Sequence, residues 1–184
     1  MTSASARRTI AGLAAAILSF ASAGFGSSQA SVPPGFELLK KISVPGRANW
    51  TDSGIDVRRG QEFYFEASGT ISLQTDNPVA GCGPDGLKMK TLQQPLPEEN
   101  IGGLLGKVRE KIEVSTDKQT GEKIQKEIGQ VFFIGRQRTV VMPSDGRLLL
   151  GINENVAGDN DGNFEVAIYK KAGSNPLYFG WVLF

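Results

Sequence analysis

Short apolar runs set between turn residues limit what this chain can fold into more than any other feature. Glu62 to Ala67 (EFYFEA), Thr139 to Met142 (TVVM), Arg147 to Ile152 (RLLLGI) and Phe164 to Tyr169 (FEVAIY) are each bounded by Gly, Pro, Asn or Asp. Such runs suit strands, and they recur about every 10 to 15 residues, the rhythm of an all-β sandwich or barrel. Turn chemistry is written between them as Arg59-Gly60, Ser68-Gly69, Pro84-Asp85-Gly86, Ser144-Asp145-Gly146 and Asp161-Gly162. Each offers a Gly that can take a positive φ at a tight reversal.

Ile101 to Gln130 reads two ways. Ile101, Leu104, Leu105, Val108 and Ile112 fit helical spacing, and Ile124 and Ile128 continue it. Gly102, Gly103 and Gly106 each weaken a helix by about 1 kcal/mol relative to alanine, and Lys111 to Ser115 alternates polar and apolar. The balance favours a strand entering a charged hairpin over residues 107–130, with Lys118 to Glu122 as its tip, over a helix pair. Six basic and five acidic residues between Lys107 and Glu127 make it a solvated projection of mixed sign.

The ends are of a different character. Arg7-Arg8 followed by the apolar stretch Ile10 to Phe20 and small residues up to Ala30 reads as a signal peptide over residues 1–30, cleaved after Ala23 or Ala30. Removing it leaves 18 basic against 19 acidic residues, so the net charge passes from +1 to −1. The expected product is secreted or periplasmic, has no membrane span, and carries no charge excess to attract nucleic acid. Residues 31–44 are expected to form an N-terminal strand segment, 45–170 the β domain, and the apolar residues 171–184 a closing strand or subunit contact. An outer-membrane barrel is the alternative for that terminal strand, but the upstream strands lack the required lipid-face alternation.

Composition removes whole classes of chemistry. With no histidine there is no Ser-His-Asp or Cys-His pair, no imidazole zinc site and no HExxH protease. With Cys82 alone there is no intrachain disulfide, and its Gly81-Cys82-Gly83-Pro84 setting suggests a turn with an inert buried thiol. Gly81 to Gly86 matches G-x-G-x-x-G by letter only, since Pro84 lies inside it and no apolar helix follows. Asn49-Trp50-Thr51 is a formal glycosylation sequon.

The remaining motif is the loop from Asn153 to Asn163 (NENVAGDNDGN), with three carboxylates and four side-chain amides in eleven residues. These are hard oxygen donors of the kind calcium takes at about six to eight oxygens, whereas magnesium demands a stricter octahedron. An EF-hand is excluded, because placing Gly162 at the sixth loop position puts Ala157 first and Ile168 last. A metal-free Asx-rich turn is the alternative.

Several blocks follow one another in a characteristic order: Trp50-x-Asp52-x-Gly54-Ile55, then Gly60-Gln61-x-Phe63 leading to Ala67-Ser68-Gly69, then Gly83-Pro84-Asp85-Gly86 and Gly103-Leu104-Leu105-Gly106-Lys107-Val108. Phe133-Ile134-Gly135 comes next, then Gly146-x-Leu148-x-Leu150-Gly151-Ile152-Asn153-Glu154 with Asp159-Asn160-x-Gly162-x-Phe164. This succession resembles the bacterial calcium-dependent galactophilic lectin family (PA-IL-like). The resemblance implies a single jelly-roll-type β-sandwich of galactose-binding-domain-like type, with one calcium in an edge loop and a sugar bound to that ion through its hydroxyls. Carried over, it places Glu154 as an acidic ligand that also touches sugar, Asp159 and Asn160 as adjacent ligands, and main-chain carbonyls near Leu73 and Ala157 as the rest of the shell. Asn155 and Trp50 join the expected sugar contacts, Trp50 as a stacking platform; as an amphipathic ring in a β domain it also suits the core. The loop is about two residues shorter than the family's, and Glu stands for Asp. The family's secondary sugar-contacting His and Gln have no counterpart near Leu87-Lys88-Met89-Lys90, so galactose specificity is not implied.

The expected function is therefore an exported calcium-dependent carbohydrate-binding module, with the sugar and any oligomeric state open. The alternative is a non-catalytic envelope structural or interaction protein whose calcium only stiffens the sandwich edge. A glycosidase pair of Glu154 with Asp159 or Asp161 lacks the aromatic-lined cleft and fixed carboxylate separation that such enzymes need, so no enzyme is expected.

Overall fold

The computed structural model describes residues 32–173. The expected signal peptide and most of the apolar C-terminal segment lie outside them. Nine strands follow in chain order: β1 Phe36–Pro45, β2 Trp50–Val57, β3 Glu62–Ser72, β4 Gly81–Cys82, β5 Leu104–Thr116, β6 Lys123–Phe133, β7 Gln137–Val141, β8 Gly146–Ile152 and β9 Asp161–Lys171. A 3-10 turn, Pro78–Ala80, precedes β4. Among the described residues there is no α-helix, and none that is long and apolar enough to cross a membrane.

All pairings are antiparallel and fall into two sheets. One runs β1-β9-β3, and the free side of β3 takes β7 at its Glu62–Glu66 end and β4 at Ile71 and Ser72. The other runs β2-β8-β5-β6. The inward side chains of both sheets alternate along their strands and meet in one core: Phe63, Phe65, Ala67 and Ile71 of β3 and Phe164, Val166 and Ile168 of β9, with Leu104 and Val108 of β5 and Leu148, Leu150 and Ile152 of β8. Alternation of side chains to opposite faces along each strand is what allows two sheets to share that core. Burial of such side chains is worth about 1.5–3 kcal/mol each.

β8 departs from simple alternation, because Leu149 on its outward side is also buried. A central strand covered on both faces reads as a continuous apolar run, as RLLLGI does. Part of the outer covering is ionic. Arg147 and Arg109 stand directly opposite each other on β8 and β5, an arrangement that costs free energy for like charges. Carboxylates on the flanking strands offset it: Asp52 and Asp56 of β2 lie 3.4 and 3.2 Å from Arg147, and Glu127 of β6 lies 3.0 Å from Arg109. The result is an acid-base-base-acid ladder across four strands.

The stretch with two readings folds as the β5–β6 hairpin. Asp117 caps its tip by accepting the Gln119 and Thr120 amides, and Gly121 turns at φ +73. Two of the expected turns lie instead inside strands. Gly69 is within β3 and Gly162 within β9, at φ +98 and +78. A Cβ at Gly69 would come within 2.5 Å of the Asn163 carbonyl, and one at Gly162 within 2.4 Å of the Thr70 carbonyl. The glycines are there because neighbouring backbone occupies the space of a side chain, not because the chain reverses. Cys82 likewise sits in β4, just before the Gly83 to Gly86 turn rather than within it.

Candidate functional site

The chain that leaves β8 at Ile152 and enters β9 at Asp161 makes a loop of eight residues, 153–160. Its first residue is a fastener. Asn153 is fully buried; its Oδ1 accepts the Leu96 amide at 2.9 Å, and its Nδ2 donates to the carbonyls of Leu96 and Asn100, both at 3.0 Å. Both of its N–H donors and its oxygen are engaged by the 94–100 segment, so its side chain serves to fasten that segment. Asn163, also part of the acidic-amide motif, lies on β9 and donates to Ser43 Oγ and Glu165 Oε1. Asp161 opens β9 as an exposed residue.

Glu154 and Asn160 are what the loop brings together. Asn160 is fully buried, and its Nδ2 donates to the Gly46 carbonyl at 3.0 Å and to Glu154 Oε2 at 2.7 Å. Both partners are acceptors, so the amide cannot be turned round without losing both bonds. That orientation leaves Asn160 Oδ1 buried with no hydrogen-bond partner, at a desolvation cost of about 1–3 kcal/mol. Two other buried side-chain atoms lack partners among the described residues, Thr51 Oγ1 and Ser144 Oγ. Both are hydroxyls, which also donate; the Asn160 oxygen can only accept, and it stands beside a carboxylate.

The electrostatics of Glu154 agree with that picture. Burial pushes its carboxyl above the usual value of 4.5, the Asn160 N–H opposes the shift, and the negative charge of Asp159 adds to it. Cys82 is close enough to feel Glu154: burial first, then that charge, raise its thiol to about 11, so it is protonated at neutral pH and is no thiolate ligand. Leu73 packs in the same neighbourhood, since a Cβ on Gly102 would meet both Cys82 Sγ and the Leu73 side chain. Its amide donates to the Ala80 carbonyl at 3.0 Å. Ala157 is buried, and its carbonyl accepts the Asn160 amide at 3.3 Å. Asn155 is exposed.

Trp50 takes part in none of these hydrogen bonds. It opens β2 opposite Gly151, its ring filling the space a Cβ there would need, and Lys107 Nζ lies 5.1 Å from the ring centroid. One face of the indole is thus engaged by a cation that is itself held by Glu127 at 2.6 Å.

Two residues with no signal in the sequence complete the arrangement. Thr75 binds the Asp159 carbonyl through both its amide, at 2.8 Å, and its hydroxyl, at 2.7 Å. Arg47 donates through Nε to the Asn160 carbonyl. Together they pin the main chain of Asp159 and Asn160 between the 73–80 segment and the turn after β1. No local pattern marks either residue, because their role exists only where three separate chain segments meet.

The donors gathered here are hard oxygens: Asn160 Oδ1, the carboxylates of Glu154 and Asp159, and nearby main-chain carbonyls. Among the described residues no three of His, Cys, Asp and Glu form a group able to hold a metal. An ion at this loop would therefore draw much of its shell from amide and main-chain oxygens, a set that suits calcium. An open groove of about 930 Å³ at the other end of the sheets is lined by Arg58, Arg109, Arg147, Asp56 and Asp145, among others, and includes none of the loop residues. Its arginines 109 and 147 belong to the ionic ladder.

No model of a known protein family matches the chain, and neither does any curated protein. Among solved structures it is similar to the N-terminal domain of EclA, a PllA-like lectin, with 17% identity and a TM-score of 0.49 over 74% of this chain and 98% of that one.

Proposed function

We propose that the protein is a non-catalytic carbohydrate-binding module that holds calcium at the 153–160 loop. The observation that carries the reading is Asn160 Oδ1, a buried acceptor without a partner beside a carboxylate whose proton affinity is raised by burial and by Asp159. A cation at this point satisfies the orphan oxygen and neutralises the repulsion between Glu154 and Asp159 in a single step.

The residues have distinct tasks. Asn160 and Glu154 hold the ion from the buried side, Asp159 from the exposed side, and the carbonyls of Ala157 and Leu73 complete the shell as the sequence resemblance implies. Gly46 fixes the amide orientation, while Thr75 and Arg47 fix the main chain that carries it. A bound calcium supplies coordination positions for two vicinal sugar hydroxyls. Export of the mature chain to the periplasm or beyond, where calcium is plentiful, belongs to the same reading.

The test is thermal unfolding of the mature protein with calcium and with chelator, followed by a glycan panel on the calcium-loaded form. A rise in Tm with calcium and retention of at least one glycan is the expected outcome. An absence of any shift would overturn the metal site. A shift without any retained glycan would leave the ion a stiffening role at the sandwich edge, a reading that the double clamp of Thr75 on the Asp159 carbonyl favours.

A further inference from the structure

Arg47 holds its place through one edge of its guanidinium and leaves the other edge open. Nε donates to the Asn160 carbonyl, and Nη2 lies 3.5 Å from Thr75 Oγ1. Nε and Nη2 share the side-on edge of the planar group, so those contacts occupy that edge and set the plane of the fork. The end-on pair, Nη1 and the outer N–H of Nη2, has no protein partner among the described residues. Arg47 is exposed and, among the described residues, makes no ion pair. Among the described residues Arg58, Arg59 and Arg138 also make no ion pair, but only Arg47 is bonded to the main chain of the 153–160 loop.

An arginine used only as a clamp needs its side-on edge alone. One whose orientation is pinned to the main chain of the loop, at an exposed position and without an ion pair among the described residues, is preset for an external planar anion. Part of the rotamer entropy that such a contact costs has already been lost, and carboxylate geometry matches the fork. We infer that Arg47 recognises an acidic group on the ligand, so that the saccharide bound at this loop is an acidic one, of uronic-acid type, with hydroxyls at the ion site and its carboxylate on Arg47. This inference rests on the carbohydrate-binding reading above and narrows it to a ligand class.

The experiment compares sugars that differ only in oxidation at C6, glucuronate against glucose and galacturonate against galactose. Binding to the calcium-loaded mature protein is measured by calorimetry for the wild type, Arg47→Lys and Arg47→Gln. The wild type is expected to prefer the acid of at least one pair by about tenfold, the scale of one charge-assisted contact. That preference should shrink as salt is raised. Arg47→Lys keeps the charge and one donor for the Asn160 carbonyl but loses the fork; it should lose most of the preference for the acid over the neutral sugar. Arg47→Gln should abolish the preference.

Equal binding of acid and neutral sugar by the wild type would overturn the inference while leaving the carbohydrate reading intact. So would a preference that survives in both variants, which would place the carboxylate on the ion instead. Binding of no member of either pair, with no glycan of a broader panel retained, would overturn the carbohydrate reading itself.

Discussion

Asn160 donates its side-chain N–H to Glu154 Oε2 at 2.7 Å, and that one bond decides where the amide's oxygen must lie. With the Gly46 carbonyl accepting the second N–H, Oδ1 is left buried without a hydrogen-bond partner. The site thus contains an acceptor that the fold itself leaves unsatisfied.

Asn160→Ala should remove the calcium response. In chelator it strands the Gly46 carbonyl, at a cost of about 1–3 kcal/mol, and relieves the similar penalty of the orphan Oδ1. Asn155→Ala, at an exposed position of the same loop, should change stability by no more than about 0.5 kcal/mol. Thermal unfolding of both variants with and without calcium checks this. A calcium-dependent shift of unchanged size in Asn160→Ala would put the ligands elsewhere.

Glu154 predicts the sign of a pH dependence. Its carboxyl is raised in the folded chain, chiefly by burial, so between the usual value of 4.5 and the raised one the folded state binds more protons than the unfolded. Stability without calcium should therefore fall as pH rises through that window. Glu154→Gln keeps an acceptor for the Asn160 N–H but carries no charge, so its apo form should lose this decline. Melting in chelator across pH values from about 4 to 8 measures it; an identical profile for the two proteins would contradict the assignment.

Glu127 should act with the opposite sign. The hydrogen bond from Lys107, first, and that from Arg109 hold its carboxyl below 4.5, and the stability it contributes is present above that value and lost as pH falls through the lowered one. Because Lys107 is only 8% exposed, Glu127→Gln leaves a largely buried ammonium without its counterion. The expected cost at neutral pH is about 1 kcal/mol, with a weaker acid dependence in urea titrations. A neutral substitution with an unchanged acid limb would reduce the pair to a surface ornament.

Cys82 should be unreactive in the native state. Its thiol is buried and raised to about 11, so alkylation at about pH 8 requires unfolding. Mass spectrometry should detect one iodoacetamide adduct in denaturant and none without it. Rapid native labelling would mean that the 81–82 strand opens locally.

The strands themselves were legible because their signal is local. EFYFEA, RLLLGI and FEVAIY each carry enough alternation or continuous apolarity to name a strand, and β3, β8 and β9 contain them. The hairpin was legible through its glycines and its polar tip. The reading failed where a glycine serves a neighbour instead of its own turn. Ser68-Gly69 and Asp161-Gly162 look like reversals in one dimension, yet both lie within paired strands, and the cause of each glycine is a carbonyl on the strand alongside.

The candidate site divides in the same way. Glu154, Asp159 and Asn160 stand out in the chain because oxygen-bearing side chains crowd a short segment between apolar runs. Composition alone ranked Asn153 and Asn163 beside them. The fold separates these: Asn153 is bonded to the 94–100 segment, Asn163 lies exposed along β9, and of the three only Asn160 keeps a buried oxygen without a partner. By itself, the sequence determined the all-β succession of short apolar runs and the supply of hard oxygens, since both depend on neighbours a few residues apart. Only the tertiary structure decided which oxygen is left open and which residues hold the main chain that carries it, because Gly46 and Arg47 are more than a hundred residues from Asn160 along the chain and reach it only when the two sheets close on their common core.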